Sequence, residues 1–232
     1  MAYAGFGNDG FISTFTISSD GKTITKLATL EHAPNQGEYN SLVQVDSDTY
    51  ALAYAGGDDD GWITTFTIPA DGSTITKVKT LEHDTNRGKY NSLLQVDSDT
   101  YALAYTGQLA DGYISTFTIS SDGTSIVKVN SLEHDTDVGN YNSLVHVDSD
   151  TYALAYTSGN KDGYISTFTI SSDEIEKKQR SGACGFDRDC TPPRITNHGE
   201  SETPDGFSIN DNVFEENQER YNKNPTIQGT VA

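Results

Sequence analysis

The string DSDTY begins at Asp46, Asp97 and Asp148, each 51 residues after the last. His32, His83 and His134 keep that spacing, as do the Asp-Gly pairs at Asp9, Asp60, Asp111 and Asp162. A register held without insertion to about residue 170 means that one supersecondary unit is built repeatedly. A constant offset returns every core-facing side chain to the same face of each copy.

Each copy reads as four short strands. Tyr90–Val96 alternates large and polar residues, and Thr100–Thr106 sets Tyr101, Leu103 and Tyr105 on one face with Ala102 and Ala104 on the other. Gly112–Ser120 again has period two, whereas Ser125–Leu132 is less apolar and carries Lys128, as an outer strand should. Asp-Gly pairs between strands supply residues that accept the positive φ of tight turns. Four antiparallel strands in about fifty residues predict an all-β fold, a β-propeller-like array of four-stranded blades. The alanines would then lie where blades approach face to face. A β-trefoil, built from three four-strand units, is the alternative, and a fourth Asp-Gly unit at Asp162–Ile170 speaks against it.

The expected boundaries are a partial blade at 1–38, blades at 39–89, 90–140 and 141–180, and an irregular tail at 181–232. Met1–Gly5 aligns with Leu52–Gly56, so the first unit lacks its inner strand, and the chain is expected to be a fragment of a longer product. The competing expectation is self-association, with incomplete blades completed between chains. The tail is rich in Pro, Asn, Asp, Gly and Glu, and TIQGTVA at its end resembles the first strand of a further domain.

Only 34% of residues are hydrophobic, and 34 acidic against 15 basic residues give a formal charge of −19. Such a surface repels nucleic acid and anionic lipid, so neither is an expected partner. No run of about 18 apolar residues is present, so no membrane span is expected, and no leader-like run follows Met1. Cys184 and Cys190 in CGFDRDC suit a small disulfide loop and an oxidising compartment. Free thiols are the alternative, and two thiolates alone do not complete a zinc site.

Two sets of residues could carry chemistry. Glu82, His83 and Asp84, repeated as Glu133, His134 and Asp135, are expected on the same rim as the Gly56–Gly61 loop. Carboxylate, imidazole and nearby tyrosines there could receive a glycan. Asp58, Asp59 and Asp60 are hard oxygen donors suited to calcium. Against both readings, Asp and Gly are turn formers, and the matching loops GFGNDG, GQLADG and SGNKDG do not repeat the extra aspartates. The third position of the triplet also varies, being Ala33 in the first copy. No Gly-x-Ser-x-Gly, His-Glu-x-x-His or phosphate loop occurs.

The run LEHDT…YNSLVQVDSDTYALAYAG…DGYISTFTI resembles tandem repeats in large surface or secreted proteins of marine ammonia-oxidising archaea, and DCTPPRITN…GFSIND is similar to segments of cell-surface proteins in the same group. The resemblance covers residues 1 to about 170, and more weakly 184–232. It implies an extracytoplasmic location in a longer multidomain chain and transfers no catalytic residue. The resulting expectation is a non-enzymatic structural or interaction module meeting protein or glycan partners at the cell surface. The alternatives are a multivalent glycan- or calcium-binding propeller and, less favoured, a polysaccharide-active hydrolase. No cofactor is expected beyond that calcium.

Overall fold

The computed structural model describes residues 1–172 and 174–182. They form fifteen strands in four antiparallel sheets, each a simple meander. The first sheet has three strands, β1 (Ala2–Ala4), β2 (Gly10–Ile17) and β3 (Ile24–Ala33). The second is β4 (Glu38–Gln44), β5 (Thr49–Ala55), β6 (Gly61–Thr67) and β7 (Thr76–Asp84). The third is β8 (Lys89–Gln95), β9 (Thr100–Thr106), β10 (Gly112–Ile119) and β11 (Ile126–Asp135). The fourth is β12 (Asn140–Asp148), β13 (Thr151–Thr157), β14 (Gly163–Ile170) and β15 (Ile175–Gly182). The array is propeller-like. The trefoil alternative falls, because each repeat closes its own sheet. β15 carries the fourth sheet two residues past the expected boundary at 180. Cys184, Cys190 and the remainder of the tail lie outside the described residues.

Blades interlock large against small. Ala51 and Ala53 on β5 are fully buried against Tyr101, Leu103 and Tyr105 of β9, and Ala102 and Ala104 on β9 meet Tyr152, Leu154 and Tyr156 of β13. An alanine face admits the neighbouring ring without a void, so the YALAY motif supplies both halves of each joint. Polar ties repeat with the same period. Ser41 Oγ accepts from Leu93 N and Ser92 Oγ from Leu144 N, both at 2.9 Å, which joins successive inner strands. Thr14 and Thr65 hydroxyls donate to the carbonyls of Gly72 and Gly123 in the next blade's hairpin, at 2.6 and 2.7 Å. On the face opposite the Asp-Gly rim, Asp46 and Asp97 carboxylates cap their own turns by accepting from Ser47 N and Ser98 N, as expected of turn aspartates.

Candidate functional site

The Glu-His-Asp triplets form the last residues of β7 and β11, and not the rim loops that the sequence suggested. A bulge explains the difference. Glu82 stands opposite Trp62 and Asp84 opposite Gly61, so His83 is the extra residue; Glu133 and Asp135 bracket His134 in the same way. The bulge turns each imidazole inward. His32, His83 and His134 are all buried, edge-on to Tyr54 and Phe66, Tyr105 and Phe117, and Tyr156 and Phe168 respectively. Burial, with Lys77 nearby, lowers the His32 pKa to about 4; burial, with Lys128 nearby, lowers that of His83 to about 3. These are neutral packing groups at pH 7, and neither ring nitrogen of His32 or His83 has a hydrogen-bond partner. Glu133 is exposed and Asp135 buried, with Asp135 Oδ1 accepting from Asp137 N.

The three aspartates before β6 go separate ways. Asp58 occupies the left-handed region (φ 61°) and is exposed. Asp59 pairs with Lys89 at 2.6 Å and accepts from Gln36 at 2.7 Å. Partial burial pushes the Asp59 carboxyl up, but those bonds and the Lys89 and Arg87 charges outweigh it, so its pKa falls. Asp60 turns toward Glu82. Loss of hydration, then the hydrogen bond and charge of Asp60, raise the Glu82 pKa above its usual value. Among the described residues no three His, Cys, Asp or Glu side chains converge to hold a metal ion, so the calcium reading has no ligand cluster there.

Two rim features were not read from the sequence. Tyr39, Tyr90 and Tyr141 form a row across the inner strands with centroids 4.5 and 4.4 Å apart and ring planes tilted by 57° and 49°, each at positive φ (53–55°). The second is a cleft of about 340 Å³ between the first and second sheets. His32 to Gln36 line one side; Tyr54, Gly56 to Asp58, Trp62, Lys77 and Thr80 line the other. The signal was available in the differences between copies: Ala33 stands where the later copies have Asp84 and Asp135, and Trp62 where they have Tyr113 and Tyr164. Glu82 is the cross-strand neighbour of Trp62, and Trp62 that of Tyr54, so a carboxyl and two aromatic side chains form one row beside the cleft.

No protein-family model matches the chain, and no curated protein matches it. Solved structures do. A periplasmic gluconolactonase from Pseudomonas aeruginosa superposes with TM-score 0.52 at 11% identity, covering 81% of this chain and 68% of that one. The NanB sialidase from Streptococcus pneumoniae gives 0.52 at 14%, over 75% and 28%. A hypothetical selenium-binding protein from Sulfolobus tokodaii gives 0.51 at 11%, over 78% and 55%. At such identity the likeness establishes the fold: this is a β-propeller-type protein. It also corrects the expectation of a non-enzymatic structural or interaction module, since the solved propellers similar to it include enzymes. No helix among the described residues is long and apolar enough to cross a membrane.

Proposed function

We propose that the protein is a hydrolase that cleaves a C–O bond of a sugar-derived substrate seated in the cleft beside Trp62. The observation that carries this reading is the cross-strand row of Glu82, Trp62 and Tyr54 beside the cleft, with Asp60 next to Glu82. Aromatic faces suit the apolar side of a sugar ring. Two carboxyls within hydrogen-bond reach can share one proton: the protonated member delivers it to the departing oxygen, and the ionised member takes one from the attacking water. Glu82, its pKa raised, is the proton donor; Asp60 is the acceptor. An extracytoplasmic setting in a surface protein fits the acidic composition of the chain and the resemblance of its repeats.

The test is turnover on panels of polysaccharides, aryl glycosides and sugar lactones. Glu82→Gln is expected to lower kcat about 100-fold with little change in KM, the usual yield of one general acid. In the wild type the rate should fall as pH rises through the raised Glu82 pKa, because the donor form is then lost. Absence of turnover on all three panels, or full activity in Glu82→Gln, overturns the reading.

A further inference from the structure

The molecule contains its own comparison for the cleft. At the next joint, between the second and third sheets, Asp84 stands 51 residues after Ala33. Its Oδ1 accepts from the backbone N–H groups of Asn86 and Arg87 at 3.0 and 3.1 Å. Its Oδ2 lies against Gly107, 3.4 Å from where a Cβ on that glycine would sit, and within the electrostatic reach of Tyr105, Tyr113 and Lys128. Those four neighbours are the counterparts of Gly56, Tyr54, Trp62 and Lys77, each 51 residues earlier, and all four line the cleft. The two joints share glycine, tyrosine and lysine at matching positions, and the later one adds a carboxylate of its own.

We infer that the cleft between the first and second sheets binds a carboxylate-bearing sugar, whose carboxylate takes the place that Asp84 holds at the next joint. Lys77 supplies the opposite charge. Among the described residues its Nζ donates only to the carbonyl of His32, at 3.5 Å, and no carboxylate lies within 4 Å of it. The Tyr54 hydroxyl, 3.3 Å from Thr64 Oγ1, is the counterpart of the Tyr105 hydroxyl that faces Asp84. Trp62 replaces Tyr113 and enlarges the aromatic wall on which a pyranose face rests. Ala33 and Pro34, replacing Asp84 and Thr85, leave the room for it. The inference names the substrate class for the cleft and so rests on the cleft being the substrate site.

Trp62 is the chain's one tryptophan, so its emission reports on the cleft directly. The protein is titrated with D-glucuronate, D-glucose and acetate. Glucuronate should quench saturably and bind about tenfold more tightly than glucose, with acetate weaker than either. Lys77→Gln, at an exposed position, should weaken glucuronate about fivefold and leave glucose unchanged, the size of one partly solvated ion pair. Ala33→Asp restores the residue tolerated at both later joints and should remove glucuronate binding. Equal affinity for glucuronate and glucose, acetate matching glucuronate, no quenching by glucuronate, or unaltered glucuronate binding in either variant overturns the inference. The hydrolase reading is judged by turnover and by Glu82→Gln. Turnover confined to neutral substrates would sink the carboxylate inference alone, and selective quenching without turnover would sink the hydrolase alone.

Discussion

A Cβ added at Gly61 would lie 2.5 Å from Cε1 and 2.7 Å from Nε2 of His83, closer than carbon atoms approach without displacement. Gly10 and Gly112 meet His32 and His134 in the same way. The glycine of these three Asp-Gly pairs is thus required by the imidazole packed on it, whereas Gly163 of the fourth has open space beside it. Gly61→Ala should destabilise by about 1–3 kcal/mol, the usual cost of overpacking, as read by denaturant unfolding. The histidine itself makes stability depend on pH. Its folded pKa of about 3 lies below the unfolded value of 6.5, so the unfolded chain takes up the proton first as pH falls. Its contribution is complete above pH 6.5 and is lost progressively toward pH 3. His83→Gln should be less stable than wild type at pH 7 yet lose less stability between pH 6.5 and 4, measured by unfolding at several pH values.

The second residue of β4, β8 and β12 is a tyrosine at positive φ, followed by an asparagine, Asn40, Asn91 or Asn142. The asparagine holds the kink by donating to the carbonyl of Gly37, Gly88 or Gly139 at 2.7–2.9 Å. Asn91 also donates to the Tyr39 carbonyl of the preceding blade at 3.2 Å, so one side chain fixes a strand start and a blade joint. Asn91→Ala should cost about 1–2 kcal/mol, and more than Asn40→Ala, whose amide makes the turn contact alone. Strand existence and register could be read from the sequence because period-two patterning and turn residues agree in every copy. The bulges could not. Glu-His-Asp at the end of an outer strand looks polar enough for a loop, and only packing against Gly61 and Tyr105 shows that His83 points inward.

At the scale of the molecule, the joint between blades explains both what the sequence revealed and what it concealed. The YALAY repeat announced face-to-face packing because it carries its own large and small halves. The cleft went unseen because it arises from an exchange at one joint, Ala33 for aspartate, whose meaning depends on Lys77 of the following blade. Charge is the other property that belongs to the whole. The formal charge is −19, and the ion pairs among the described residues include Lys22–Asp20, Lys89–Asp59 and Lys178–Glu176. With 34 acidic against 15 basic residues, repulsion within the excess negative charge acts against the compact state. Raising salt from about 0.01 M to about 0.15 M shortens the screening length from about 30 Å to about 8 Å, which relieves that repulsion more than it weakens short-range pairs. Thermal unfolding in sodium chloride should then shift upward by about 2–4 °C, corresponding to about 1 kcal/mol for a domain of this size. A downward shift would mean that the Asp59–Lys89 pair and its neighbours outweigh the general repulsion, and Lys89→Met, which removes that attraction and leaves the repulsion, would then turn the shift upward.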